Sequence, residues 1–237
     1  MGVYNREDQQ YDLNRQFRLN NGTVWSYSSS LIFWLRASEG ATTFFDKSGN
    51  FASITSSGSG HLNVSYSPPV KFPFDSLRLD NKFVTVGAGQ AADSTDKKSL
   101  IFSGWVYLNV SPALNNKGFC LLHSTASTGF TIFIDDQGRL AIRLTNKNSG
   151  GTLASAKVQT TKKPFTANKW HHFIIEVRKE ANSTANFKAA GNVNIFVNGQ
   201  KKAVNVPSDV GSPNLDPKLT GTSYKVGNGP AEDETEA

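Results

Sequence analysis

The sequence predicts an all-β fold, and three observations lead to that prediction. Short segments in which apolar and polar residues alternate recur along most of the 237-residue chain, and such alternation is typical of strands with one buried face. Turn-forming Gly, Pro, Ser, Thr and Asn separate these segments. No segment carries a sustained helical period with capping residues. The 16 Phe, 6 Tyr and 4 Trp are enough to fill the space between two packed sheets.

The first half of the chain contains four candidate strands, at residues 31–36, 76–80, 82–86 and 99–108. A turn at residues 46–50 follows the first of them. The clearest hairpin spans residues 130–144, because Phe130, Ile132 and Ile134 share one face and residues 135–138 can reverse the chain.

The second half continues the same pattern. Residues 170–177 place Phe173, Ile175 and Val177 on one face, and residues 193–197 form the next strand. Asn198-Gly199 is the strongest short hairpin signal in the sequence. We expect exposed polar loops at residues 48–66, 87–98, 146–163, 180–191 and 207–220. We expect Trp34, Trp105 and Trp170 in the core, because each lies in an apolar strand.

The cysteine content and the absence of long apolar runs set the expected compartment. Cys120 is the only cysteine, so no disulfide can form within the chain, and its apolar neighbours predict a buried thiol. No run approaches membrane-spanning length, and the first residues do not resemble a signal peptide. We therefore expect a protein made in a host cytoplasm that contacts no membrane.

The charge balance favours an anionic partner. The net charge is +6, but Glu232, Asp233, Glu234 and Glu236 crowd the end of the chain, and without these four charges it rises to +10. Such a balance suits acidic glycans, an acidic protein shell or nucleic acid, while the alternative is a soluble surface rich in lysine. Because the sequence contains no dense Lys/Arg cluster, we expect no nucleic-acid binding.

Six segments, in order, resemble the laminin-G-like branch of the concanavalin A-like lectin/glucanase superfamily. The most telling pair is KWHHF at residues 169–173 and IFVNG at residues 195–199, since the family carries Trp-x-His-Val-Ala and later Tyr-Val-Asn-Gly. The other four are LIFWLR with DKSGN at residues 31–50, LRLDNKFVTV at 77–86, FSGWV at 102–106 and YKVGN at 224–228.

This resemblance implies a two-sheet antiparallel jelly-roll sandwich over residues 30–229, preceded by an arm at residues 1–29 and followed by an acidic tail at residues 230–237. The family's usual closing strand, of the type Gly-x-Ile-Asp-Glu-Val-x-Ile, has no counterpart here. We therefore expect residues 1–30 to help close or bridge the sheet edge that this leaves.

The sequence does not favour an enzyme. Glucanases of the superfamily carry Glu-x-Asp-x-Glu on one strand, with the carboxylates close together, and this chain has no such strand. His171 and His172 are adjacent, so a strand directs them to opposite faces and they cannot chelate one metal. Calcium remains open, because Asp46 and Asn50 offer oxygens from one turn. The alternative is that Asp46 only stabilises that turn.

Candidate contact residues lie in polar surroundings. Trp25 and Tyr27 are candidate sugar platforms, and Asn146, Asn148 and Asn228 are loop amides that can line a rim. Tyr4, Tyr11 and Phe17 are spaced along the arm in a way that suits docking onto a neighbouring protein, although a frayed tail is equally compatible with them.

Three functions compete. The first is a bacteriophage virion component, such as a capsid decoration, knob or fibre protein, in many copies and in contact with other virion or shell proteins. The second is a lectin-like glycan-binding module outside any virion, reaching the exterior by a non-classical route. The third is a glycoside hydrolase relative. We expect a non-catalytic module on a virion surface that attaches through its arm and binds host glycan.

Overall fold

The structure is a computed structural model of the chain. It describes residues 17–18, 24–25, 51–56, 84–89, 100–112, 118–124, 129–147, 153–178, 187–207 and 223–227. Strands account for most of these residues. They are β1 (Phe17–Arg18), β2 (Val24–Trp25), β3 (Phe51–Ser56), β4 (Val84–Gly89), β5 (Leu100–Tyr107), β6 (Phe119–Ser124), β7 (Gly129–Ile134), β8 (Leu140–Lys147), β9 (Leu153–Thr160), β10 (Trp170–Val177), β11 (Val193–Val197), β12 (Gln200–Lys202), β13 (Val204–Asn205) and β14 (Ser223–Val226).

Two antiparallel sheets contain all but the first two of these strands. The small sheet has the order β12-β11-β10-β5, and the large sheet has the order β13-β9-β8-β7-β6-β14-β4-β3. β1 and β2 pair with each other. The predicted all-β sandwich of two antiparallel sheets is confirmed. No helix within the described ranges is long and apolar enough to cross a membrane.

The core lies between the two sheets. Alternate residues of β10 are buried, and Ile175 of the small sheet and Ile142 of the large sheet are completely inaccessible. Phe102 of β5 meets Phe130 of β7 with ring centroids 4.7 Å apart. Burying one such side chain contributes roughly 1.5–3 kcal/mol, so the two sheets are held face to face by many contacts of this size.

The hairpin predicted at residues 130–144 is confirmed. β7 pairs with β8 in a register that sets Phe130 opposite Leu144 and Ile134 opposite Leu140. The buried Asp135 carboxylate accepts the backbone N–H of Arg139 at 2.7 Å and also contacts the Arg139 side chain. The Asp135 side chain thus stabilises the turn between β7 and β8 through its contacts with Arg139.

The Asn198-Gly199 hairpin is also confirmed. It joins β11 to β12, and the φ angles of 52° at Asn198 and 75° at Gly199 are both positive, as a type I′ turn requires. Asn tolerates this left-handed conformation better than most residues with a side chain.

Two of the predicted loops contain strands. β9 occupies most of the segment expected as a loop at residues 146–163, and β3 lies within the loop expected at 48–66. Residues 154–159 alternate strictly between apolar and polar, so β9 carried a strand pattern, but its apolar residues there are the small Ala154, Ala156 and Val158.

Candidate functional site

The two outward faces of the sandwich differ in exposure. The outer face of the large sheet is buried at Thr131, Phe133, Ala141 and Gln159. The outer face of the small sheet has exposed Ile101 and Trp105, at 59% and 55%. Large exposed apolar side chains grouped on one surface mark contact sites in soluble proteins, so this outer face is the better candidate.

The register of β5 and β10 groups the aromatic rings on this surface. Trp105 lies opposite His172, and Tyr107 lies opposite Trp170. Ile174 of β10 and Phe196 of β11 are partners in the next row. We call this set the aromatic face, and it comprises Trp105, Tyr107, Trp170, His172, Ile174 and Phe196.

Short contacts order the rings. The centroids of Trp105 and His172 lie 4.8 Å apart, and those of Tyr107 and Trp170 lie 5.5 Å apart. His172 Nε2 and Ser103 Oγ are 3.0 Å apart and share a hydrogen bond. Pairs at such separations contribute about 0.5–1.5 kcal/mol beyond buried area. The rings therefore form a largely preorganised surface on a rigid sheet.

A hydrogen-bonded clamp behind this surface fixes the end of β10. Asn198 Oδ1 accepts the His172 backbone N–H at 2.9 Å, which leaves Asn198 Nδ2 facing His171 Nδ1 at 3.3 Å. With Nδ1 as the acceptor the ring proton lies on Nε2 and is directed at the Thr166 carbonyl oxygen at 3.1 Å. In the other tautomer Nε2 accepts the Thr166 backbone N–H at 3.3 Å. His171 is buried and packs against Phe165. As predicted, the two adjacent histidines point to opposite faces.

Both histidines favour the neutral form. Burial lowers the pKa of His172. Burial also lowers the pKa of His171, and nearby Lys169 acts in the same direction, against an opposing hydrogen bond from Thr166. The aromatic face therefore carries no imidazolium charge at neutral pH.

Two charged side chains lie beside the face. Glu176 accepts a hydrogen bond from Asn194 Nδ2 at 2.8 Å and lies 3.7 Å from Arg178 Nε. The exposed Lys201 lies opposite Phe196, in the row next to that of Glu176. A paired carboxylate and an exposed ammonium group thus lie near the same end of the aromatic surface.

The predicted core position of Trp105 is wrong, and Trp170 is only partly buried. The segment 99–108 is apolar on both faces, which suggested a strand buried on both sides. Ser103 could have indicated the exposed face of this strand. Residues 103 and 105 point to the same face, and a serine is typical of the face that contacts solvent. Trp34 lies outside the described residues.

The other predicted contact residues remain predictions. Phe17 of β1 pairs with Trp25 of β2. Asn146, expected in a loop, lies in β8 opposite Ala154. The remainder lie outside the described residues: Tyr4, Tyr11, Tyr27, Asp46, Asn50, Asn148 and Asn228.

A family model for the concanavalin A-like lectin/glucanases superfamily, of the laminin G type, matches residues 80–234. Because this match covers more than half of the chain, the protein belongs to that superfamily, and the resemblance noted from the sequence motifs is confirmed. No curated protein sequence matches the chain.

Solved structures of botulinum neurotoxin domains share the fold. The binding domain of serotype C1 is similar with a TM-score of 0.53 and 20% identity, over 90% of this chain and 46% of that one. Neurotoxin type C, which depends on interaction with two ganglioside molecules to enter cells, is similar with a TM-score of 0.52 and 20% identity, over 88% and 45%. The binding domain of neurotoxin DC in complex with SialylT is similar with a TM-score of 0.50 and 21% identity, over 84% and 43%. The chain spans less than half the length of these structures.

Proposed function

We propose that the protein is a non-catalytic glycan-binding module and that the aromatic face is its ligand-contact surface. The observation that carries the proposal is the exposed Trp105 ring, which is 55% accessible although one side of it contacts the His172 ring at a centroid distance of 4.8 Å. His172 is itself hydrogen-bonded to Ser103.

Sugar rings suit such a surface. The C–H groups on one face of a pyranose are apolar, and they pack against the negative face of an aromatic ring. The hydroxyl groups around the sugar need polar partners, and Ser103 and His172 supply a hydroxyl and an imidazole in adjacent rows. The ganglioside and SialylT interactions of the structurally similar toxin domains support this choice of ligand class.

A catalytic function is less well supported. Within the described ranges the carboxylates are Asp135, Asp136 and Glu176. Asp135 is buried and engaged by Arg139, and Glu176 contacts Asn194 and Arg178. A retaining glycosidase needs two carboxyl groups about 5–5.5 Å apart that flank the sugar, and these contacts do not provide such a pair.

The test is glycan-array binding by the wild-type protein and by Trp105→Ala. About half of the Trp105 surface is available to a ligand, and covering one face of the ring removes on the order of 60 Å² of apolar area, or about 1.5 kcal/mol. We therefore expect roughly tenfold weaker binding in Trp105→Ala. The matched control is Ile101→Ala, which shortens an equally exposed apolar side chain on the same strand beside Glu176. We expect a change of less than about twofold there, because the side chain lies outside the ring cluster.

Equally strong glycan binding by the wild-type protein and by Trp105→Ala would show that the ligand contacts another part of the protein. Release of reducing sugar from any polysaccharide would overturn the non-catalytic part of the proposal. Ile101→Ala should melt close to the wild type, and Trp105→Ala should melt a few degrees lower because it loses the contact with His172. All three proteins must remain folded at the temperature of the binding assay.

As the setting of this function we propose the surface of a bacteriophage particle, with attachment through residues 1–29 to other virion proteins. The open sheet face supports a multi-copy setting, since many copies raise the avidity of a site that is weak alone. Electron microscopy of the particle tests this: symmetric copies are expected, while a freely secreted lectin would show none.

Calcium binding at Asp46 and Asn50 belongs to the same proposal. A calorimetric titration with calcium tests it, and an Asp46→Asn variant that still binds calcium equally well would exclude that turn.

A further inference from the structure

A row of basic residues crosses the outer face of the large sheet. The strand register sets Lys225 of β14 opposite His123 of β6, and His123 opposite Thr131 of β7. Thr131 lies opposite Arg143 of β8, and Arg143 lies opposite Lys157 of β9. Directly paired residues of neighbouring strands point to the same face of a sheet, and this face is the one away from the core. We call these five residues the basic row.

Two cations of the row share one aromatic ring. The Arg143 guanidinium carbon lies 5.1 Å from the centroid of the Phe133 ring, and the Lys157 ammonium nitrogen lies 5.9 Å from it. Phe133 is nearly inaccessible, whereas Arg143, Lys157 and Lys225 all remain partly exposed. Like charges directly opposite each other in a sheet repel, so an anionic group placed near Arg143 and Lys157 stabilises the pair.

The row carries a charge of +3 at neutral pH. Burial lowers the pKa of His123, and the neighbouring Lys225 acts in the same direction, so this histidine is neutral. In the part of the chain that the structure describes, the carboxylates are the two aspartates of the β7–β8 turn and Glu176 of the small sheet. None of these three belongs to the row, so we looked for an anionic partner of the row among the other acidic residues of the chain.

The densest acidic segment of the chain lies in the acidic tail, residues 230–237. Four of the five residues 232–236 are acidic, namely Glu232, Asp233, Glu234 and Glu236. In an extended chain the three glutamates share one side and follow each other at about 7 Å. The segment therefore matches the row in sign and in number of charges.

The tail is also close enough to reach the row. It follows β14, the strand that contributes Lys225. Four strand spacings separate Lys225 from Lys157 along the row, or about 19 Å. From Gly227, an extended chain reaches about 17 Å at Glu232 and about 30 Å at Glu236. The tail carboxylates can therefore lie above every cation of the row.

We propose that the acidic tail docks on the basic row of its own chain, with its carboxylates at Lys225, Arg143 and Lys157. The same chain is favoured over a second copy because a tethered segment has a high effective concentration at a site within its reach. The docked tail neutralises the positive charge on this outer face, and any other anionic partner of the row has to displace it. This interaction is independent of glycan binding at the aromatic face.

The test compares the full wild-type chain with a neutral-tail variant, Glu232→Gln/Asp233→Asn/Glu234→Gln/Glu236→Gln, by NMR. Neutralising the tail is expected to change the backbone amide shifts of the row and to lower the pKa of His123, because carboxylates near an imidazole favour its protonated form. Both effects are expected to shrink as salt rises from about 0.05 to about 0.5 M. His171 and His172, in the small sheet, serve as controls within the same molecule, and their titration is expected to change much less.

A second pair of variants shows whether the row itself holds the tail. In Arg143→Gln/Lys157→Gln, neutralising the tail is expected to have a much smaller effect on His123 than in the wild type, as a double-mutant cycle measures. The matched control is Lys162→Gln/Lys163→Gln, which removes the same charge at two exposed positions just after β9. There the effect of the tail on His123 is expected to be retained.

Four results would overturn the proposal. Unchanged row shifts and an unchanged His123 titration would show that the tail does not contact the row. Equal changes at His123, His171 and His172 would reduce the effect to net charge, and an equal loss in the two lysine and arginine double variants would do the same. Shift differences that disappear on dilution would assign the row to the tail of a second copy.

Discussion

The clamp formed by Asn198 provides a test of how the sequence fixes the end of β10 beneath the aromatic face. Asn198→Ala removes the acceptor of the His172 backbone N–H and the donor to His171 Nδ1. It also places a residue that avoids the left-handed region at a φ of 52°.

The magnitude follows from these losses. Each net hydrogen bond contributes about 1 kcal/mol, and the left-handed conformation costs Ala roughly 1 kcal/mol more than Asn. Because Asn198 is exposed, water replaces part of what is lost, and the expected decrease in the free energy of unfolding is about 2–3 kcal/mol. For a chain of this size that lowers the melting temperature by roughly 5–10 °C.

The Asn198→Asp variant tests the two hydrogen bonds separately, because it keeps the bond to His172 and removes the bond to His171. Asp tolerates the same φ and keeps an acceptor for His172, but it sets a carboxylate oxygen against His171 Nδ1, which favours the protonated ring and raises its pKa. In the wild type the His171 pKa is lowered, so its contribution to stability is complete above about pH 6.5 and decreases as the pH falls. In Asn198→Asp this pH dependence is reversed. The protonated His171 ring stabilises the folded protein at low pH, and that stabilisation is lost as the pH rises through the raised pKa of His171.

Urea unfolding at about pH 8 and about pH 5.5 measures both effects, on either side of the unperturbed histidine pKa. Asn198→Asp should be clearly less stable than the wild type at the higher pH and closer to it at the lower. The control is Gln200→Ala, an exposed neighbour in the same hairpin whose side chain accepts a hydrogen bond from Lys202 Nζ, with an expected change within about 0.5 kcal/mol. An Asn198→Ala variant as stable as this control would refute the clamp.

Three further predictions concern other parts of the sandwich. Gly118→Ala should destabilise the protein far more than Gly199→Ala in thermal unfolding: both glycines have positive φ, but a Cβ at Gly118 would lie 2.4 Å from the Ile134 carbonyl oxygen, while Gly199 has nothing within 4 Å. A similar loss for both would show that contact does not matter. Burial raises the pKa of Cys120 to about 12, so a thiol reagent at about pH 8 should label the native protein slowly and the urea-unfolded protein quickly, and rapid native labelling would contradict this. Because the pKa values of His123, His171 and His172 are all lowered, wild-type stability should fall as the pH drops below about 6.5; stability that rises in this range would be inconsistent with these shifts.

Local features of the sequence predicted local structure well. Asn198-Gly199 specifies its turn through the positive φ angles of two adjacent residues. The hairpin at residues 130–144 follows from period-two alternation on both sides of a turn. Residues 170–177 become β10 with the predicted face buried. In each case the information lies within a few neighbouring residues.

Contacts between distant segments were not predictable in this way. Ser103 and His172 are 69 positions apart, and only the pairing of β5 with β10 brings them together. Likewise, Thr160 and Val204 lie opposite each other only because β13 pairs with β9. The exposed Trp105 was missed because an apolar run does not reveal which of its faces the second sheet covers.

The central claim is that the outer face of the small sheet contacts the ligand. Chemical-shift mapping of the isotope-labelled protein during titration with an array-selected oligosaccharide tests it most directly. The account predicts that the largest changes fall on the outward residues of β5, β10 and β11 around Trp105 and His172. Changes confined to the outer face of the large sheet or to the Asp135–Arg139 turn, with the Trp105 indole signal unmoved, would contradict it.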